Sequence, residues 1–147
     1  MLRIVCAVTV LVTLLTSVAL AAEPGIAEVT AGTPETRGLI VHVGATDGSL
    51  AEAFAKLGPV VVSAVATEPA IETRIRERMR ADGYLGQVNV DRLSGNRIPL
   101  NDNIAVLVVA DLDAVPGLTL EEVTRITRPE GRMAVRRQGA WQVTTKP

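Results

Sequence analysis

The residues best placed to do chemistry are Gly44-Ala45-Thr46-Asp47-Gly48, between an apolar run, Leu39-Ile40-Val41-His42-Val43, and a helix start at Ser49-Leu50-Ala51-Glu52. A strand that runs into glycines and then into a helix is where parallel sheets bind nucleotide-like ligands. Glycine lets the backbone approach the ligand, and the helix start offers free amides at a positive dipole end. Two glycines at this spacing do not name a ligand by themselves; the order of features around them carries more. His42, beside the turn, is the sole histidine, so no histidine pair, Ser-His-Asp triad or multi-histidine metal site can be built. Its simplest role is that of a strand-end residue bonded to backbone.

Other groups compete for attention. Asp111 and Asp113 follow the apolar run Ala105-Val106-Leu107-Val108-Val109, and paired carboxylates there suit a base or a cation ligand as well as plain loop solvation. Arg74, Arg76, Arg78 and Arg80 invite a phosphate-binding reading. Interleaved with Glu72 and Glu77, they fit a solvated helix face with i,i+4 pairs such as Glu72–Arg76 better. Trp141 suits a sheet cap or a docking surface equally. No catalytic residue and no metal site is assigned.

The elements that must position these residues follow from pattern. Ser49 and Glu52 form a capping box, opening a helix through Phe54 and Leu57 that stops at Gly58. Pro59 to Val65 is a second buried-type strand. Pro69 suits a first helical turn, and Ile71, Ile75 and Met79 recur every four residues along the helix that Gly83 ends. Val88-Asn89-Val90 is a weaker third strand and Ala105 to Val109 the fourth. Thr119 and Glu122 make a second capping box, before a short helix through Ile126. Pro129-Glu130-Gly131 turns the chain into a fifth strand, Met133-Ala134-Val135. Strands that are apolar throughout and alternate with helices specify an α/β fold with a mostly parallel sheet and right-handed crossovers. Phe54, Tyr84 and Trp141 are the only aromatics, so the core is aliphatic.

The N-terminus reads as an export signal. A positive start at Arg3, an apolar run from Ile4 to Leu20 and the small-x-small pattern Ala19-Leu20-Ala21 place cleavage after Ala21. The run approaches the length of a spanning helix, so an uncleaved anchor is the alternative. Residues 22–37, rich in Gly, Pro, Thr and Glu, read as a linker, and 38–147 as the α/β domain. Cys6, the sole cysteine, lies inside the signal, so the mature chain has no disulfide and no cysteine ligand. A net charge of −1 on 147 residues gives no footing for nucleic acid or an anionic membrane.

From Gly38 to Val135 the chain resembles the class I S-adenosylmethionine-dependent methyltransferases of the type 11-like group. Val41 to Gly48 looks like their first motif, a hydrophobic strand followed by G-x-G-x-G. Thr67-Glu68-Pro69-Ala70 looks like the segment after their second strand. Ile98-Pro99-Leu100-Asn101-Asp102-Asn103 resembles the run before their fourth strand, and Arg128-Pro129-Glu130-Gly131 the turn before the fifth. A dinucleotide-binding Rossmann domain would explain the glycine turn but not the last two landmarks. The resemblance implies a Rossmann-like fold of about five strands with S-adenosylmethionine as the cofactor. It implies cofactor contacts from His42, Gly44, Ala45, Thr46, Gly48, Glu68 and Ser94.

Four departures accompany it. The middle glycine of the first motif is Thr46, which strains the turn if its φ is positive or else intrudes on the cofactor's place. The acid that holds the ribose hydroxyls falls at Ala66, with Glu68 as a candidate replacement two residues on. The aspartate that meets the adenine amine falls at Ser94, and the second glycine of the later turn at Glu130. Losing two polar contacts costs about 3 kcal/mol, on the order of a hundredfold in affinity.

Members of that family continue with a further helix and two more strands past the fifth, whereas only a short stretch around Trp141-Gln142-Val143 follows here. The ending Trp141-x-Val143-x-x-Lys146-Pro147 resembles the junction before a quinoprotein-type β-propeller in exported bacterial proteins. The partner it implies is such a propeller or another exported protein. Two readings stand: a degenerate methyltransferase-like structural or interaction module, and a working methyltransferase of unknown acceptor.

Overall fold

The computed structural model describes residues 25–30 and 37–147; the export signal, its cleavage site and most of the linker lie outside the described residues. The elements run α1 (Ile26–Thr30), β1 (Gly38–Val43), α2 (Ser49–Ala55), β2 (Val60–Ala66), α3 (Pro69–Ala81), β3 (Val88–Arg92), β4 (Ala105–Asp111), α4 (Leu120–Ile126), β5 (Thr127–Arg137) and β6 (Ala140–Thr145). They form one six-stranded sheet in the order β3-β2-β1-β4-β5-β6. The first five strands are parallel and β6 is antiparallel to β5. The expected mostly parallel, helix-flanked sheet is present, with one strand more than the sequence indicates.

Each strand sends alternate residues to opposite faces, and β1, β2, β4 and β5 are largely buried on both. On one, α2 and α3 bring Phe54, Ile75 and Met79 against Ile40, Val62 and Ala64. On the other, α4 and the loops beside it bring Val123, Ile126, Ile98 and Val115 against Val41, Val65 and Val108. Valine and alanine on both sides of a parallel sheet explain why the strands lack apolar/polar alternation in the sequence.

Several boundaries differ from expectation. The linker holds α1, whose Val29 is buried in the core with the α2 face. Ser49 does not cap α2. The helix starts from Gly48 at φ 82°, and Asp47 Oδ1 accepts hydrogen bonds from Ser49 N at 2.9 Å and Ser49 Oγ at 2.7 Å. Aspartate two residues earlier supplies the side-chain acceptor that the capping-box pattern assigned to serine. At α4 half the second box forms: Thr119 Oγ1 accepts from Glu122 N at 3.3 Å, while the Glu122 carboxylate turns to Arg125 and to Ile98 N.

Pro129-Glu130-Gly131 is not a turn. It is a bulge inside the longer β5, where Glu130 N donates to Lys146 O and Lys146 N donates to Gly131 O. An added Cβ on Gly131 would lie 2.8 Å from Arg128 O and 3.0 Å from Ala105 O, so only glycine fits. Trp141-Gln142-Val143 is the centre of β6, reached through a two-residue hairpin in which Gln138 (φ 54°) and Gly139 (φ 79°) are both left-handed, as a type I′ turn requires.

Candidate functional site

Strand order reverses between β1 and β4: from β1 the chain builds outward to β2 and β3, then returns to β4 on the other side. Loops leaving the carboxyl ends of β1 and β4 diverge there, and such a switch point is where open α/β sheets take ligands. The glycine turn, Glu68 and Ser94 lie along this rim, after β1, β2 and β3. The tertiary structure thus brings these three segments to one rim of the sheet, and their local geometry decides what they can do.

His42 is not on the rim. It lies within β1 beside Ala64 and Val109, 4% exposed, on the face that α2 covers. Gly44 has φ 85°, and its amide and that of Ala45 both donate to Val65 O, at 2.9 and 3.2 Å. The loop after β4 folds back so that Val115, itself buried, would meet a Cβ on Gly44 at 2.9 Å. Gly48 is equally confined: a Cβ would sit 3.0 Å from Ile75 Cγ2 and 3.1 Å from Met79 Cε of α3. Both glycines are thus required by the packing of the protein's own side chains.

Thr46 is exposed and is not among the non-glycine residues with positive φ, so the expected strain is absent there. The strain falls instead at Glu130, held at φ 60° in the β5 bulge. There the missing second glycine of the later turn has a real backbone cost.

Ala66 ends β2 with no exposed surface, and its carbonyl accepts from Leu93 N at 2.9 Å. Its methyl group offers nothing to a ribose. Glu68 is exposed, extended (φ −131°, ψ 148°) and makes no side-chain bond to the start of α3, so it remains the one acid of the expected set at this corner. Ser94 closes a two-residue turn with Arg97, each amide donating to the other's carbonyl at 3.1 Å, and its side chain faces solvent.

Two residues of the arginine run belong to this site. Arg74 Nη2 donates to Thr46 O at 2.6 Å, and Arg78 Nη1 to Asp47 O at 3.1 Å. Arg78 also pairs with Glu52 of α2 at 2.9 Å. Arg76 instead pairs with Glu72, at 2.8 Å. The i,i+4 spacing of 74 and 78 placed them on one helical face; that this face meets the glycine turn needed the docking of α3. The Asp47 carboxyl is held below its ordinary range, chiefly by the Ser49 hydroxyl and then by the Ser49 amide. The turn is therefore hydrogen-bonded both from within, through Asp47 and Ser49, and from α3, through Arg74 and Arg78.

The later landmarks are structural too. Arg125 of α4 donates to Ile98 O, Leu100 O and Asp102, and to both carboxylate oxygens of Glu122, pinning the Ile98–Asn103 run. Asp111 accepts from Asp113 N, Ala114 N and Arg136, and Asp113 from Gln138 N and Gly139 N. Their lone pairs order the loop and the β5–β6 hairpin, which leaves neither as a free base. Among the described residues no cluster of three potential metal ligands occurs, and no helix is long and apolar enough to cross a membrane.

No protein-family model matches the chain, and no curated protein matches it either. Solved structures do. A Methanococcus maripaludis protein assigned to the S-adenosyl-L-methionine-dependent methyltransferases superposes with a TM-score of 0.66 at 18% identity, over 74% of this chain and 51% of that one. The fold is that of the class I methyltransferases. An S-adenosylmethionine-dependent methyltransferase from Aquifex aeolicus matches at TM-score 0.59 and 23% identity, over 67% of this chain and 55% of its own. The [4+2]-cyclase SpnF matches at 0.64 and 18%, over 74% and 41%. The chain thus spans about half the length of these structures, and one of them is named for a cyclisation. The fold alone does not choose the chemistry.

Proposed function

We propose that this chain is an exported methyltransferase-like module whose S-adenosylmethionine site is eroded and whose role is structural or interactive. The observation that carries the reading is the state of the glycine turn. Gly44 is packed by Val115, Gly48 by Ile75 and Met79, and the first two amides are bonded to Val65 O. Features that serve a cofactor in a working site here serve the protein itself. The loss of an acid at Ala66 and of an aspartate at Ser94 points the same way. Export supports it as well, because S-adenosylmethionine is made in the cytoplasm and an exported enzyme would lack its methyl donor. The partner class this reading implies is another exported protein, a β-propeller in the case that the C-terminal resemblance suggests.

The second reading, a working methyltransferase of unknown acceptor, is favoured by one observation. Glu68 stands exposed and uncommitted beside the end of β2, and could take the ribose hydroxyls in place of the missing acid. Calorimetric titration with S-adenosylmethionine and S-adenosylhomocysteine separates the two. The degenerate reading expects no binding below about 100 μM; tighter binding, abolished by Glu68→Ala, establishes the second.

A further inference from the structure

We infer that residues 112–118, between β4 and α4, form a strap that opens as a unit over the glycine turn, and that Asp113 is its latch to the β5–β6 hairpin. This goes beyond the cofactor question: it concerns what closes the corner under either reading of the site, and its test uses no ligand.

Val43, Ala45, Ala66 and Ala110, at or just beyond the carboxyl ends of β1, β2 and β4, are all buried. Val115 and Leu118 of the strap share one core cluster with Val43, Ala110 and Ile98. Val115 is also the side chain that a Cβ on Gly44 would meet. Lifting the strap therefore uncovers the start of the glycine turn, at the place where open α/β sheets take ligands. Apart from these two side chains the strap is lightly built. Asp113, Ala114, Pro116 and Gly117 are exposed. Its main-chain bonds run from Leu112 N to Arg136 O, Val115 N to Asp111 O and Leu118 N to Val115 O. A segment with solvated backbone and two anchoring side chains opens at lower free energy than the sheet beneath it.

The strap is tied at three points. At its base, Asp111 Oδ1 accepts from Asp113 N at 3.0 Å and Ala114 N at 3.1 Å. At its far end, an added Cβ on Gly117 would collide with the Asn96 carboxamide, so the strap abuts the β3–β4 connection. Between them, the Asp113 carboxylate reaches across to the hairpin. Its Oδ1 accepts from Gln138 N at 3.0 Å and its Oδ2 from Gly139 N at 2.8 Å, with Arg136 Nε 4.0 Å from Oδ2. Among the described residues, these are the strap's side-chain hydrogen bonds to another element. Hydrogen bonds to an ionised carboxylate are stronger than neutral ones, so this tie holds the exposed half of the strap down. It also couples two places: anything that takes the Gln138 and Gly139 amides competes with Asp113 and loosens the cover over Gly44.

In the full chain, recovered from an expressing host, amide exchange at Val115 and Leu118 should be roughly tenfold or more faster than at Val41 of β1 and Val108 of β4. Asp113→Ala should quicken Val115 and Leu118 by about a further tenfold and leave Val41 and Val108 unchanged. Asp113→Asn keeps one acceptor oxygen for the two amides, so its effect should fall between the parent and Asp113→Ala. If Asp113→Ala leaves Val115 and Leu118 unchanged, the proposal is overturned, even where Gln138 and Gly139 quicken, because the carboxylate then serves the hairpin alone. Equal acceleration at all four sites also overturns it, since that marks a loss of global stability. Should neither variant fold, the parent protein decides: exchange at Val115 and Leu118 as slow as at Val41 and Val108 means that no separate strap exists.

Discussion

At the scale of single residues, the chemistry of the glycine turn is decided by where positive φ falls. Thr46 occupies a position where glycine brings no relief, while Glu130 occupies one where it does. Two substitutions of the same kind should therefore act differently. Thr46→Gly is expected to lower stability by about 0.5–1 kcal/mol, because it adds only unfolded-state freedom. Glu130→Gly should be neutral or raise stability by up to about 1 kcal/mol, since relief of the left-handed conformation offsets that entropy. Urea midpoints of the two variants decide the matter; a stabilised Thr46→Gly would show that threonine strains the turn. Arg74 and Arg78 illustrate the same dependence on context. As residue types they suit a solvated face, and their contact with Thr46 O and Asp47 O exists only because α3 docks beside α2.

At the scale of elements, Arg125 and Glu122 join α4 to the irregular run before β4. The two side chains meet at 2.6 Å and are largely shielded from solvent. Hydrogen bonds from Arg125, and the amide of Ile98, hold the Glu122 carboxyl below its ordinary value of 4.5, against the opposing effect of burial; Arg125 is correspondingly raised. A depressed carboxylate contributes its stability above the unfolded pKa and loses it as pH falls through the folded one. The pair should thus be fully formed at neutral pH and fail in acid, below about pH 4.5. Glu122→Gln is expected to cost about 1–3 kcal/mol near pH 7, with the gap to the parent protein closing toward pH 3. Denaturant titrations at the two pH values measure it, and a gap that stays constant would show that the charge is irrelevant.

At the scale of the whole molecule, the question is whether the switch-point crevice can still take a ligand. Ala66 has no exposed surface, so Ala66→Asp places a carboxylate in a site closed by packing. The cost should be about 2–4 kcal/mol. A ligand held in such a crevice returns about 2.7 kcal/mol at a hundredfold excess over Kd. Here S-adenosylmethionine is expected to leave the melting temperature of Ala66→Asp where the substitution puts it. A rise of several degrees, absent in the parent protein, would show that the crevice is intact apart from its acid.

The sequence by itself determined the α/β class, the order of the first five strands and the glycine turn that follows β1. Aliphatic strands, Pro69 at a helix start and glycines after β1 act through local conformation and burial, which are legible one segment at a time. It did not determine β6 as a full strand, since the hairpin depends on left-handed Gln138 and on Asp113 accepting its turn amides. Nor did it show why Gly44 and Gly48 are glycines. Their neighbours, Val115 and the Ile75–Met79 pair, come from elements about 30 to 70 positions away. A glycine needed for a cofactor and a glycine needed for a packed side chain look alike in a sequence. Only the tertiary contacts reveal the packing that these two meet.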